Sequence, residues 1–492
     1  MSLHRYDLAV IGSGPAGQKA ALAAAKLGKR VALIDRENVV GGVCIHTGTI
    51  PSKALREAVL AYTALDQRLL CSGMSTTSPS LTDLLHRANS VVRQEVDVIR
   101  SQMARNGIAV IYGTAAFETP HRLTVSRGDD RVEVSADKFL IAVGTEPARP
   151  DDVPFTPNVI IDSNELLTLT RLPKSLTIVG GGVIGTEYAS MFAAVGVRVT
   201  LVDQRPRLLE FVDDEITEAL QYRLRELGIR LRLGENIAKI SLSDTGEAQA
   251  LTESNKIITS EVLLYCVGRQ GATSALALSR AGLINDSRGR LKVNENLQTE
   301  VSHIYAAGDV IGFPALAATA MEQGRLAAWH MFKQIPAPAS PHIPYGIYTI
   351  PEVSMIGQTE QQLSAAKIPY EVGVSRYKEI ARGQIIGDPV GMLKLLFHPD
   401  SRRLLGVHVL GTGATELIHI GQAVMTAGLP IDYFVETVFN YPTLAECYKV
   451  AALDGLNRVR KPETIDDYDE NDAVPATPTT PIPIAPPKNL AA

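Results

Sequence analysis

Two glycine-rich hexapeptides carry the most specific chemistry in this chain. They are Gly12-Ser13-Gly14-Pro15-Ala16-Gly17 and, 168 residues on, Gly180-Gly181-Gly182-Val183-Ile184-Gly185. One such run alone is a weak signal, because glycines gather in many turns. Here each copy follows a short apolar run, opens a helix-like pattern, and has a carboxylate 23 residues after its first glycine, Asp35 and Asp203. The combination suits a dinucleotide. Glycines permit a tight turn and close approach of backbone to a pyrophosphate, the helix N-terminus meets its charge, and the carboxylate accepts hydrogen bonds from a ribose. After Asp203 the chain reads Gln204-Arg205-Pro206-Arg207. A carboxylate there favours the free 2′-hydroxyl of NAD, whereas a guanidinium at Arg205 or Arg207 can fork onto the 2′-phosphate of NADP. The second copy thus holds arguments for both nucleotides.

Other chemically capable side chains are less telling. His46 stands two residues from Cys44 and His419 falls on a helical pattern, but no second ligand stands at metal spacing, so both read as structural and no metal site is expected. Cys71, Cys266 and Cys447 read as small buried apolar residues.

The hexapeptides need particular elements around them. Tyr6 to Ile11 reads as a buried strand, followed by the first turn, an Ala-rich helix to Leu27 and a strand from Arg30 into Asp35. The order recurs with a strand at Ser175 to Val179, a helix to about Ala194 and a strand at Val197 to Val202. Between them, Leu81 to Asn106 has helical periodicity and Leu123 to Val143 alternates like a small antiparallel sheet. From about Tyr345, strand-like runs at Gly391 to Leu396 and Leu404 to Leu410 lead into helical stretches at Glu416 to Thr426 and Ile431 to Thr437, a third unit of α+β character. Residues 461 to 492 hold seven prolines and an acidic stretch, and are expected to be disordered.

Composition excludes several classes of function. With 492 residues, 45% hydrophobic and 21% charged, the chain is a multidomain globular protein. Its net charge is −5, of which the last 32 residues supply −4 through two lysines and six carboxylates. The body has no basic field for nucleic acid or an anionic membrane. Four cysteines without a CxxC pattern fit a reducing compartment, and neither a signal peptide nor an 18-residue apolar run is present, so a cytoplasmic location is expected.

The segment Gly41-Gly42-Val43-Cys44-Ile45-His46-Thr47-Gly48-Thr49-Ile50-Pro51-Ser52-Lys53 resembles the redox-active segment of the pyridine nucleotide-disulfide oxidoreductases. The likeness continues through Ala142-Val143-Gly144, Cys266-Val267-Gly268-Arg269, Ala306-Ala307-Gly308-Asp309-Val310, Tyr348-Thr349-Ile350-Pro351-Glu352 and Tyr441-Pro442-Thr443-Leu444-Ala445-Glu446, in order over residues 6 to 460. Two departures matter. The family's second cysteine, five residues after the first, is Thr49 here, so Cys44 has no disulfide partner. The histidine that serves a thiol in the dithiol enzymes is Tyr441, a poor acid-base group at neutral pH. Both losses remove thiol chemistry and spare the nucleotide parts, a pattern similar to the soluble transhydrogenase branch of the family.

The resemblance implies an α/β fold: two Rossmann-like dinucleotide-binding domains and a C-terminal α+β dimerisation domain. The FAD domain would take residues 1 to 150 and return at 281 to 335, the NAD(P) domain 151 to 280 and the dimerisation domain 336 to 460. It implies that Gly12, Gly14, Gly17 and Asp35 hold the ADP half of FAD, that Asp309 bonds the ribityl chain, and that Lys53 and Glu187 pair beside the flavin. Gly180, Gly182, Gly185, Asp203 and Arg205 would hold the nicotinamide nucleotide, and Gly42, Gly144 and Gly268 fall in matched cofactor-binding segments. FAD takes one fingerprint, so NAD and NADP are expected to use the other in turn, passing hydride by a ping-pong cycle. A homodimer is implied, with Tyr441 and Glu446 reaching toward the partner's flavin. The alternatives are a single-cysteine peroxide or disulfide reductase working through Cys44 and sulfenic acid, or a flavin-binding subunit of a larger complex.

Overall fold

A computed structural model describes residues 3–71, 79–333 and 342–459; the expected disorder of 461–492 and the side chain of Cys71 lie outside what it describes. The first sheet has seven strands, with parallel pairing of Leu3–Ile11 to Val31–Asp35 on one side and to Asp130–Ile141 on the other. Leu8, Ala9 and Val10 are fully buried, as are Ala32 and Leu33, because helices cover one face of this part of the sheet and the antiparallel strands Thr114–Thr119 and Arg122–Arg127 cover the other. The Ala-rich helix Pro15–Lys26 fits closely against Ala317–Lys333, where a Cβ on Gly324 would lie 2.0 Å from the carbonyl oxygen of Ala16.

The alternating segment 123–143 does more than form a small antiparallel sheet. Its second strand, Asp130–Ile141, pairs antiparallel with Arg122–Arg127 at its start, and at its end lies parallel between Leu3–Ile11 and Ile304–Ala306. The pattern changes to match: Val134 and Ala136 are buried between more exposed neighbours, whereas Phe139, Leu140 and Ile141 form a continuous buried run.

The second sheet is parallel throughout, in the order Arg230–Leu233, Arg198–Asp203, Ser175–Val179, Val262–Tyr265, Ile160–Asp162. The two sheet systems are joined by a short antiparallel pair, Thr145–Pro147 with Arg269–Gly271, just after Gly144 and Gly268. A third, wholly antiparallel sheet of five strands lies between Tyr345 and Leu410 and packs against the helices Ala414–Ala427 and Glu446–Val459. Lys394, fully buried in this sheet, reaches Asp213 at 2.8 Å, the N-cap of the helix Asp214–Glu226, and also Glu215 at 3.0 Å and Glu360. Burial opposes its charge, but these carboxylates prevail and raise its pKa. Among the described residues no helix is long and apolar enough to cross a membrane.

Candidate functional site

The two glycine hexapeptides fold into the same cradle. Gly12 and Gly180 have φ of +104° and +110°, in the region that favours glycine. A Cβ on Gly17 would lie 1.9 Å from the carbonyl oxygen of Gly12, and one on Gly185 1.9 Å from that of Gly180. Gly14 and Gly182 are the N-caps of their helices; neither helix has a side-chain cap or an acidic residue in its first turn. The leading N–H groups of both helices are therefore left to an anionic ligand. Gly42, at φ +61°, presses on the first turn, since its Cβ would meet the Gly14 Cα at 2.9 Å. These features fit a pyrophosphate in each cradle.

The copies diverge at their carboxylates. Asp35 accepts the Ser13 amide at 2.8 Å, the Ser13 hydroxyl and the Glu37 amide at 2.9 Å, and Ser13 in turn accepts the Gly41 amide at 2.8 Å. Its side chain is thus largely engaged in bracing its own loop. Asp203 accepts the Gly181 amide, then the Arg205 amide at 2.8 Å and a fork from the Arg205 guanidinium, Nε at 2.8 Å and Nη2 at 2.7 Å. Burial pushes this carboxyl up, but the Arg205 bonds outweigh it and hold it below the usual range. Arg207 is engaged elsewhere, on Asp214. A cavity of about 750 Å³ opens here, lined by Gly180, Gly182, Asp203, Arg205 and Gly268, together with Lys239 and Arg288, which sequence reasoning did not single out.

Lys53 and Glu187, 134 positions apart, form an ion pair of 2.6 Å on the helices Thr49–Cys71 and Val183–Ala194. Cys44 lies in the same region, where its thiol feels the Thr49 side chain and the charges of Asp309 and Lys53. Burial is the largest influence and raises its pKa, so the sulfur stays a thiol at neutral pH. Asp309 is raised by burial also, against the pull of Arg269 and a bond to Thr145. Arg269 is fastened to Thr145 at 2.8 and 2.7 Å. Next to this region, buried Arg56 donates to the Thr349 carbonyl at 3.0 Å and pairs with Glu352 at 3.1 Å, a link that no local pattern foretold.

The remaining candidates have structural partners of their own. His46 is spent on the Val40 carbonyl at 2.9 Å and His419 on Gln422 at 2.8 Å. Cys266 donates to the carbonyls of Val179 and Gly180 at 3.3 Å, and burial pushes its pKa up to about 12, as for Cys447. The one acidic trio close enough for a cation among the described residues is Asp213, Glu215 and Glu360, and the Lys394 ammonium already bridges it. Tyr441 is exposed on the loop before the final helix, while the Oε2 of Glu446 is buried without a partner in the single chain.

Residues 6–324 match the model of the pyridine nucleotide-disulphide oxidoreductases, and residues 343–452 match that family's dimerisation domain. A protein named soluble pyridine nucleotide transhydrogenase from Mycobacterium bovis is 51% identical over 93% of this chain and 98% of its own length. A relative of that name from Photobacterium profundum is 47% identical over 92% and 98%. Among solved structures, the HOCl-induced flavoprotein disulfide reductase RclA from Escherichia coli aligns with a TM-score of 0.83 at 29% identity, covering 91% of this chain and 99% of its own. LpdA from Mycobacterium tuberculosis aligns with a TM-score of 0.84 at 25% identity, covering 93% and 100%.

Proposed function

The chain belongs to the pyridine nucleotide-disulphide oxidoreductase family, and from that premise we propose that it is a flavoprotein transhydrogenase, passing hydride between NADPH and NAD. The observation that carries this reading is the pair of matched cradles, only one of which offers a guanidinium at its ribose carboxylate. Two cradles must serve three dinucleotides, so FAD stays in the first and the nicotinamide nucleotides exchange in the second.

In the first cradle Gly12, Gly14 and Gly17 clear the backbone for the pyrophosphate, while Asp35 braces the loop and keeps a lone pair toward the ribose. Gly42 and Gly144 shape the wall, and Asp309 accepts from the polyol chain of the cofactor. Bound here, FAD would supply a two-electron centre able to accept and release a hydride equivalent. Lys53 holds a positive charge where negative charge develops, and Glu187 fixes its position. In the second cradle Gly180, Gly182, Gly185 and Gly268 admit the nucleotide, with Asp203 and Arg205 at its 2′-position. Cys44 contributes a neutral thiol, which weighs against a reductase that needs a thiolate. The chain works as a homodimer through its dimerisation domain, which gives Glu446 a second subunit to satisfy it. We place it in the cytoplasm, where its unpaired cysteines stay reduced.

Initial rates decide the matter. With NADPH varied at several fixed NAD concentrations, one shared site gives parallel double-reciprocal lines, and each nucleotide inhibits competitively at high levels of the other. Intersecting lines require a ternary complex and a second nicotinamide site, and overturn the proposal.

A further inference from the structure

We propose that Tyr348 is a positioning residue of the hydride-transfer centre, lent by the dimerisation domain to hold both members of the Lys53–Glu187 pair. The inference rests on reading Lys53 as the cation beside the flavin. Its ring lies under the ammonium, with Lys53 Nζ 4.9 Å from the ring centroid. Its backbone amide donates to Glu187 Oε1 at 2.8 Å, while Glu187 Oε2 takes the ammonium at 2.6 Å. One residue from a third structural unit therefore touches the cation through its aromatic face and the anion through its amide.

The residues behind Tyr348 support one another in a chain. The phenol lies close to the side chain of Thr415, which lowers its pKa against the upward pull of burial. Thr415 donates to Glu352 Oε2 from its amide at 3.2 Å and from its hydroxyl at 2.9 Å. Glu352 Oε1 pairs with Arg56 at 3.1 Å, and Arg56 donates to the carbonyl of Thr349, the residue after Tyr348. Arg56 stands three positions beyond Lys53 on the same helix. A further bond, from the Ile350 amide to Ser190 at 3.0 Å, ties this strand end to the helix of Glu187.

The chemistry explains why a ring serves here. A lysine stem has much rotamer freedom, and the ammonium of Lys53, whose side chain is 25% exposed, is held by one carboxylate oxygen and a Ser52 hydroxyl at 3.3 Å. A second carboxylate would fix it more firmly but cancel the charge needed for the arriving electron pair. An aromatic face attracts the cation through its quadrupole without neutralising it, and leaves N–H groups free to turn toward developing charge.

The test uses FAD-loaded enzyme with flavin content measured, and reads the flavin midpoint potential alongside NADPH-to-NAD turnover. Tyr348→Leu, and Tyr348→Met as a second ringless variant, should make the potential more negative and lower kcat about tenfold with little change in KM. Tyr348→Phe keeps the ring and should stay within about threefold of the parent. In a Lys53→Met background, Tyr348→Leu should shift the potential no further. The proposal fails if ringless variants with full flavin keep the parent potential and kcat, if phenylalanine is as damaging as leucine, or if the shift persists without the lysine. A parent enzyme that does not transhydrogenate defeats the functional reading instead, and the potential series still judges Tyr348.

Discussion

Replacing Arg205 with alanine separates two roles that the structure combines in one side chain. A carboxylate has about four lone-pair positions. Asp203 has filled them with the Gly181 amide, the Arg205 amide and the two arms of the Arg205 fork. The 2′-hydroxyl of NAD can therefore reach Asp203 only when the guanidinium moves aside. The 2′-phosphate of NADP can be met at the outer N–H groups while the fork stays closed. Loss of one charge-assisted bond costs roughly 1.5 to 3 kcal/mol, so Arg205→Ala should lower kcat/KM for NADPH by roughly 10- to 150-fold. For NADH the same change opens Asp203, and kcat/KM should stay within about threefold of the parent or rise. The pH profile should move as well. Burial raises the Asp203 carboxyl and the Arg205 bonds hold it down, so without the guanidinium its pKa climbs and the acid limb for NADH shifts to higher pH. The assay is flavin reduction by each reduced nucleotide, measured separately across pH on variants with matched FAD content. Equal losses for both nucleotides, or a larger loss for NADH, would refute the reasoning and leave Arg207, now tied to Asp214, as the next candidate.

Anaerobic titration of the yellow protein should end at two electrons per subunit, since Cys44 faces Thr49 rather than a second sulfur; uptake of four would contradict this. Cys44→Ser should keep NADPH-to-NAD activity within about tenfold, while Lys53→Ala should lose roughly 100- to 1000-fold by removing the charge beside the developing anion. Alkylation of Cys44 by iodoacetamide should be slow at pH 7 and still be accelerating above pH ~9, because its raised pKa delays the thiolate; a plateau near neutrality would be the contrary result. Gly185→Ala drives a Cβ into the Gly180 carbonyl, so it should abolish reduction by either nucleotide yet leave the flavin bound and reducible by dithionite. Lys394→Met leaves Asp213 buried without its cation and should cost about 3 to 5 kcal/mol in urea unfolding; a near-neutral result would mean that the trio sheds its charge by protonation.

What could be read from the sequence was what the backbone demands locally. A Cβ at position 17 or 185 would collide with the carbonyl five residues before it, whatever lies elsewhere in the molecule, so those glycines announce the cradle through spacing alone. The Tyr348 contacts with Lys53 and Glu187 and the Arg56 bond to Thr349 join residues far apart in the chain and follow no local period, so only the assembled structure shows them. Asp203 and Arg205 lie between these cases. Their types pointed to two nucleotides at once, but that each occupies the other depends on side-chain conformation. The first cradle gives the contrast its meaning. There the carboxylate is occupied by Ser13, a residue of the glycine turn itself, which cannot leave without opening the loop. In the second the occupant is a flexible arginine, about a third exposed, whose departure leaves the backbone bonds to Asp203 intact. Under the proposed assignment, a resident cofactor would meet a carboxylate braced by its own turn, and an exchanging one a carboxylate held by a side chain that can change partners. The two duplicated backbones can thus be told apart by what rests on one carboxylate in each.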